Sequence, residues 1–196
     1  MQTMAQMAIY LIKTLGSLYL LIVLLRFLLQ LSRADFYNPL SQAISKATNP
    51  LLLPLRKVIP GLFGLDIACL VLALIVQWVV LQLILMIAGY GLFNPLMLLA
   101  WSVVGILAML SSIYFWGMIA HIIVSWVAPF SRNPALILLR QLIEPVMAPF
   151  RKVIPPLGPI DISPIFLMLT LNLINQFVIP AIAQLLGAPH GLMIGY

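Results

Sequence analysis

Side chains able to carry out chemistry are scarce in this sequence. The chain contains four acidic residues, two histidines and one cysteine. It has no His-Glu-x-x-His motif, no glycine-rich phosphate loop and no serine-centred nucleophile elbow. A single cysteine excludes an intramolecular disulfide and a multi-cysteine metal site. We therefore predict that the protein is not an enzyme and that it needs no metal and no cofactor.

Two aspartates, Asp66 and Asp161, are separated by 95 residues, and each one precedes a long apolar run. An aspartate in that position caps a helix and meets the positive end of its dipole, which contributes about 0.3–1 kcal/mol. We favour this structural role. The alternative is that one or both line a polar path or pair with a basic residue, because acidic residues inside membranes are rare and often functional.

Arg26 and His121 are separated by the same 95 residues. Arg26 lies near enough to Arg33 on a helix for its guanidinium to snorkel to the membrane surface, which we favour. The alternative is that Arg26 pairs with Asp161 and His121 pairs with Asp66. Those two pairs would link the halves of the chain.

Four amides lie within the apolar runs, namely Gln77, Asn172, Asn175 and Gln176. Amides in lipid usually hydrogen-bond between helices, which is worth about 0.6 kcal/mol and at most about 1–2 kcal/mol. We expect this packing role, with the lining of a narrow hydrated path as the alternative.

These residues must be positioned by membrane-spanning helices, because the composition excludes a water-soluble globule. The chain has 196 residues and is 64% hydrophobic and 7% charged, whereas soluble domains are about 45–50% apolar and about 25% charged. About 20 apolar residues are needed for a helix to cross the membrane. Four stretches qualify, at residues 14–31, 67–88, 105–127 and 162–179. The predicted fold class is all-α, a polytopic membrane protein with four transmembrane helices.

A shift of 95 residues aligns the two halves without a gap. Pro54-Leu-Arg-Lys-Val-Ile-Pro60 falls on Pro149-Phe-Arg-Lys-Val-Ile-Pro155, and Asp66-Ile67 falls on Asp161-Ile162. We assign residues 1–95 to the first repeat and residues 96–196 to the second, each with a span, a basic proline-rich loop and a span. Each repeat crosses twice, so the two repeats have the same orientation.

The two basic loops are expected to form short amphipathic helices. Asn38-Pro39 and Asn133-Pro134 each combine a capping residue with a proline at the first helical position. A second short helix is predicted to begin at Asn49-Pro50 and at Glu144-Pro145, and to end at Pro60 and Pro155. We expect these helices to lie in the headgroup layer, with four cations directed at lipid phosphates: Arg56, Lys57, Arg151 and Lys152.

The distribution of basic residues predicts the orientation in the membrane. Both basic loops should be cytoplasmic, which leaves both termini on the periplasmic side of a bacterial inner membrane; Lys13 alone argues against this. The net charge of +6 is then loop charge facing anionic lipid headgroups, not a nucleic-acid surface. Expected partners are membrane lipids and either a second copy or another membrane protein. A haem within one chain would need His121 and His190, which this topology separates, although haem between subunits stays open.

The duplicated Pro-x-Arg-Lys-Val-Ile-Pro element, the segment Pro155-Pro-Leu-Gly-Pro-Ile-Asp-Ile-Ser-Pro164 and the span-loop-span layout resemble the YggT family of bacterial and plastid membrane proteins. The first repeat reads Pro60-Gly-Leu-Phe-Gly-Leu-Asp-Ile-Ala68, so Ser163-Pro164 has no equivalent there. The resemblance implies an integral membrane protein without an assigned reaction. It also implies links to osmotic stress tolerance and ion balance, to division or envelope machinery, and in plastids to maturation of a b-type cytochrome.

Three functions are consistent with these observations. The first is support of envelope or ion homeostasis under osmotic stress by a non-enzymatic membrane protein. The second is a scaffold or assembly factor for another membrane complex. The third is a small oligomeric channel or transporter, because duplicated halves are common among transporters.

Overall fold

The computed structural model of the protein describes residues 2–61, 64–154, 161–188 and 195. Within these ranges the chain forms α1 (Gln2–Leu31), α2 (Pro39–Val58), α3 (Ile67–Ile87), α4 (Pro95–Val127), α5 (Pro134–Val153), α6 (Ser163–Leu173), a π-helical turn (Ile174–Val178) and α7 (Ile179–Leu185). Four described segments are long and apolar enough to cross a membrane: Thr3–Leu31, Ile67–Ile87, Pro95–Val127 and Ser163–Leu185. The predicted all-α fold with four spans is therefore confirmed.

Two of the spanning helices begin earlier than the sequence predicted. α1 begins at Gln2 because a single lysine, Lys13, is a good helix former and does not interrupt it. α4 begins at Pro95 because Asn94 caps it, with Asn94 Oδ1 accepting a hydrogen bond from the Leu96 N–H at 3.0 Å. The 33 residues of α4 span about 50 Å, which exceeds the hydrocarbon thickness, so its ends reach the headgroup layers or it tilts.

The fourth span continues past its predicted end at residue 179 to Leu185, and it changes geometry on the way. Pro180 lies in the first turn of α7 and has no N–H to donate to the carbonyl four residues earlier. A π-helical turn over Ile174–Val178 immediately precedes it. Such a turn lets a helix absorb a lost donor without breaking.

The spanning helices pack as a row in which α3 and α4 are central. α1 packs on α3, and α6 packs on α4. Three buried clusters hold them together, containing for example Leu24 and Leu72, Leu81 and Leu98, and Met118 with Leu167. The outer faces of the row expose leucines and other large apolar side chains, which costs nothing where the surroundings are lipid tails.

Both loop helices lie at the same end of the bundle and touch each other. The Asn38 Nδ2 donates to the Pro134 carbonyl at 2.8 Å, and the Asp35 N–H donates to Gln141 Oε1 at 3.0 Å. These bonds join the entrance of α2 to α5, so the two repeats meet at their polar loops as well as along α3 and α4.

Each loop forms one continuous helix, and the predicted break at Asn49-Pro50 and at Glu144-Pro145 is therefore wrong. α2 contains Pro50 and Pro54, and α5 contains Pro145 and Pro149. In α2 the two prolines free the carbonyls of Lys46 and Pro50, both of which are exposed residues. Water or lipid headgroups can solvate a freed carbonyl there, so the helix continues to Val58. Pro60 then follows its end; Pro155, the predicted terminator of the second loop, lies outside the described residues.

Candidate functional site

Charged side chains gather at the end of the bundle where α2 and α5 lie. We call this region the polar end and define it as the described residues within 26–66 and 121–163. It contains nine of the ten basic residues and all four acidic residues, which gives it a net charge of +5. Lys13 is the remaining basic residue. The polar end is therefore the part of the protein with the strongest capacity to bind a charged ligand.

A partly buried ion pair connects α2 to the start of α3 in the first repeat. Arg56 Nη2 donates to Asp66 Oδ2, and it also donates to Gln30 Oε1 at 3.3 Å. Asp66 is only 5% exposed, whereas Arg56 is 36% exposed. The other Asp66 oxygen accepts from the Cys69 N–H at 3.3 Å and caps α3. Asp66 thus occupies the N-cap position of α3 and also belongs to an ion pair.

The equivalent pair in the second repeat is more exposed and has a third member. Arg151 Nε donates to Asp161 Oδ2 at 2.9 Å, and Arg151 Nη1 donates to Glu144 Oε1 at 2.6 Å. Asp161 Oδ1 accepts from the Ser163 N–H at 2.9 Å at the beginning of α6. Arg151 and Asp161 are 40% and 38% exposed. Exposed pairs of this kind contribute little to stability.

The second-repeat network shifts the pKa of both of its better-connected members. Partial burial lowers the pKa of the Arg151 guanidinium, but the hydrogen bond to Asp161 and the charge of Glu144 outweigh it and leave the pKa above its ordinary value. Partial burial raises the pKa of Asp161, but hydrogen bonds from Ser163 and Arg151 outweigh it and leave the pKa below its ordinary value. Both groups are therefore held in their charged forms.

The predicted links between repeats, Arg26 with Asp161 and His121 with Asp66, are wrong. Each aspartate pairs with the arginine ten residues before it, within its own repeat. The reason is geometric: α2 and α5 each fold back beside the start of the following span. That places Arg56 beside Asp66 and Arg151 beside Asp161, within the distance of an ion pair.

Arg26 does not snorkel to the surface, because α2 covers it. Its side chain is 8% exposed. Arg26 Nη1 donates to the Ser45 carbonyl at 3.0 Å, to Thr48 Oγ1, and to Asn49 Oδ1 at 2.8 Å. The sequence carries a signal for this contact: Ser45, Thr48 and Asn49 have the i, i+3, i+4 spacing of one helix face.

That contact shows which way α2 faces. Its buried residues are Ser41, Thr48 and Leu52, while Leu40, Leu51 and Val58 are exposed. The polar stripe thus turns toward the bundle and several apolar side chains turn away from it. Such an arrangement is unfavourable in water and favourable at a lipid surface. α5 differs because its buried residues are apolar: Leu138, Leu142, Ile143 and Met147.

His121 occupies the position of Arg26 in the second repeat but has different surroundings. It lies on α4, two turns before that helix ends. Arg140 of α5 donates to the carbonyls of Ala128 at 3.1 Å and Pro129 at 2.7 Å, where α4 ends. A cation at a helix C-terminus satisfies free carbonyls and meets the negative end of the dipole.

The four cations predicted to contact lipid phosphates fall into two groups. Arg56 and Arg151 form the ion pairs described above, whereas Lys57 and Lys152 are exposed on the last turns of α2 and α5. The lysines are therefore the better placed for a headgroup. Their contact with lipid phosphate stays a prediction.

Three of the four intramembrane amides lie together on the fourth span. Asn172, Asn175 and Gln176 line a cavity of about 350 Å³ beside the π-helical turn, together with Ser112 of α4. Gln77 is separate and fully buried in the middle of α3. Another amide of α3, Gln82, has a structural role that its sequence context does not indicate. It donates to the Gly91 carbonyl at 2.9 Å and accepts from the Phe93 N–H at 3.2 Å, which braces the turn between α3 and α4.

Comparison with known proteins identifies two tandem matches to one family. The model of the CCB3/YggT family matches residues 5–88 and residues 100–182. The chain is 54% identical over 188 residues to an uncharacterized protein of Pseudomonas aeruginosa, with 95% of each chain covered. It is 34% identical over 188 residues to a protein of Escherichia coli strain K12 named "Uncharacterized protein YggT", with 94% of each chain covered. No solved structure is significantly similar.

Proposed function

This chain belongs to the CCB3/YggT family, and from that premise we propose that it supports envelope and ion homeostasis under osmotic stress as a non-enzymatic protein of the bacterial inner membrane. The observation that carries the proposal is the polar end, with its net charge of +5. Two amphipathic helices, α2 and α5, form its surface. They suit contact with an anionic leaflet.

A physical link to osmotic stress follows from electrostatic screening. A basic residue near an anionic leaflet contributes about 1 kcal/mol of attraction. That attraction acts over a Debye length of about 10 Å at 0.1 M salt, and the length shrinks as the salt concentration rises. Loss of cell water raises the internal ionic strength. The electrostatic attraction of α2 and α5 to the leaflet would then weaken, so the polar end can respond to the osmotic state of the cell.

The proposal is tested by complementation in cells that lack the gene. After a hyperosmotic shift, the wild-type protein should restore survival. The double variant Lys57→Gln, Lys152→Gln should restore it poorly, because it removes two exposed cations of the polar end. The control is Lys13→Gln, which removes a cation from the first half of α1, outside the polar end. Membrane levels of all three proteins are measured by immunoblot.

Equal rescue by the double variant and the wild type at equal membrane levels would count against the proposal. An unchanged survival curve in cells lacking the gene would do the same. Membrane orientation is tested separately with reporters active on one side only. A reporter between α4 and α5 should be active in the cytoplasm, and reporters at both termini in the periplasm.

A second candidate function, a hydrated path through the membrane, is favoured by the amide-lined cavity. Asn172, Asn175 and Gln176 face a space of about 350 Å³ next to an irregular helical turn. Irregular backbone at membrane depth is tolerated where it lines a cavity. In a Cys69→Ser background, Asn175→Cys should react with a membrane-impermeant thiol reagent, whereas Leu169→Cys on the exposed apolar face should not. Protection of Asn175→Cys would exclude the path.

A further inference from the structure

A second cavity lies at the polar end, and its lining is rich in cations. It is open on one side and has a volume of about 490 Å³ between the end of α1 and the first turns of α2. Arg26, Arg33 and Arg56 all line it, together with Gln30, Ser41 and Ser45. Leu29, Ile44 and Phe36 complete the wall with apolar surface. Three guanidinium groups around one space repel one another unless an anion lies between them.

The acidic residues nearby do not fully neutralise this cavity. Asp66 pairs with Arg56. Asp35, two residues after Arg33, accepts from the Tyr37 N–H and is not among the residues that line the cavity. The described partners of the Arg26 guanidinium are neutral oxygens from Ser45, Thr48 and Asn49. Arg33 is exposed at the rim, in the turn that closes α1. The cavity therefore holds an excess of positive charge, part of it buried.

Arg33 adopts a backbone conformation that is unusual for its residue type. Its φ is +51°, in the left-handed region that commonly closes a helix with glycine. A residue with a side chain pays about 1 kcal/mol there. The arginine side chain is thus present at a position where the backbone alone would favour glycine, and it lies on the cavity.

Ser41 supplies an independent sign that the cavity binds a hydrogen-bond acceptor. Its side chain is buried at 6% exposure on the cavity wall, and its hydroxyl has no hydrogen-bond partner among the described residues. A buried hydroxyl without a partner is unfavourable by about 1–3 kcal/mol. If the Ser41 side chain rotates toward the cavity, its hydroxyl can donate a hydrogen bond to an oxyanion there.

The second repeat lacks several features of this site. The residues equivalent to Arg33 and Ser41 are Ala128 and Leu136. The residue equivalent to Ser45 is Arg140, whose guanidinium donates to the end of α4. The cation-lined cavity therefore belongs to the first repeat and does not follow from the duplication itself.

We propose that this cavity, between Arg26, Arg33 and Ser41, binds a phosphate group. The phosphate comes from the headgroup of an anionic phospholipid or from free phosphate, and the apolar wall beside the arginines favours the lipid. Planar guanidinium groups bind phosphate oxygens through paired hydrogen bonds. Only the lipid source rests on the function proposed above.

The test measures binding to the purified full chain in a neutral detergent by isothermal titration calorimetry. The two probes are short-chain phosphatidylglycerol and inorganic phosphate. Arg33→Gln should weaken binding about tenfold, as expected for loss of a hydrogen bond to a charged group. Ser41→Leu places the second repeat's residue in the cavity and should abolish binding without removing any charge. Arg132→Gln is the matched control, because it removes an exposed arginine from the loop before α5, outside the cavity.

Competition between the probes identifies the source of the phosphate. Binding of phosphatidylglycerol that inorganic phosphate displaces, or binding of the lipid alone, assigns the site to a lipid headgroup. Binding of inorganic phosphate alone assigns it to the free ion. Absence of binding by both probes, or equal affinities for wild type, Arg33→Gln and Ser41→Leu, would overturn the proposal. These results are independent of the survival assay, so failure of the proposed function leaves the phosphate site itself standing, and failure of the phosphate site leaves the proposed function standing.

Discussion

The two ion pairs of the polar end are equivalent in sequence but differ in burial, and this difference predicts unequal contributions to stability. Asp66→Asn removes one negative charge while keeping a side chain that still caps α3. Asp161→Asn makes the same change in the second repeat. A difference between the two variants in the loss of free energy of unfolding therefore shows which ion pair contributes more to stability.

The expected magnitudes follow from the exposed fractions. Breaking a fully buried pair costs about 3–5 kcal/mol, and an exposed pair is worth about 0.2–1 kcal/mol. Asp66 is 5% exposed but its partner Arg56 is 36% exposed, so Asp66→Asn should lower the free energy of unfolding by about 2 kcal/mol, between those limits. In Asp161→Asn, Arg151 retains Glu144 at 2.6 Å, and the loss should stay below about 1 kcal/mol.

Unfolding in mixed micelles with increasing sodium dodecyl sulfate, followed by tryptophan fluorescence, measures both losses. A double-mutant cycle isolates each pair. Arg56→Gln with Asp66→Asn should give a coupling energy above about 1 kcal/mol, and Arg151→Gln with Asp161→Asn a smaller one. Losses that are equal, or larger for the second repeat, would refute the argument that burial separates the two pairs.

Three further outcomes are expected in the same unfolding assay. Thr48→Val should lower the free energy of unfolding by about 1–2 kcal/mol, because Arg26 loses a buried hydrogen-bond acceptor. A loss below about 0.3 kcal/mol would contradict the Arg26–Thr48 hydrogen bond. Gly117→Leu should lower the free energy of unfolding by about 1–3 kcal/mol, because even a Cβ there would lie 3.2 Å from the Ile143 side chain. An unchanged midpoint of unfolding in sodium dodecyl sulfate would mean that α4 and α5 separate easily. The lowered pKa of Asp161 contributes stability that is present above its ordinary pKa of 3.8 and is lost as the pH falls through its lower folded value. The difference in free energy of unfolding between the wild type and Asp161→Asn should therefore shrink as the pH falls below about 4. A difference that does not change with pH would contradict the lowered pKa.

The number and type of the spans could be predicted from the sequence alone, because hydrocarbon imposes one requirement. Every backbone N–H and C=O in lipid must pair within the chain, so an uncharged run of about 20 residues becomes a helix whatever its neighbours are. The capping roles of Asn38 and Asn133 were predictable for a similar reason. They depend on hydrogen bonds within two residues, Asn38 with the Leu40 N–H and Asn133 with the Ala135 N–H.

Helix continuity depended on less local features. Prolines stop most helices, yet α2 and α5 each contain two of them in their interior. Whether a freed carbonyl is tolerated depends on whether it meets solvent, and that depends on how the helix lies against the bundle. The early start of α4 at Pro95 was in principle readable, because Asn94-Pro95 repeats the pattern of Asn38-Pro39.

The polar partners were decided by tertiary structure. Sequence spacing showed that Asp66 and Asp161 are equivalent. Ion pairs within each repeat and ion pairs between the repeats agreed with that spacing equally well. The rotation of α2 about its own axis buries Thr48 against Arg26 and carries Arg56 to Asp66. Changing that rotation by half a turn would exchange the two faces and leave the apolar pattern of the spans unchanged. A membrane-spanning length is a property of one segment, whereas an ion pair depends on the relative position of two.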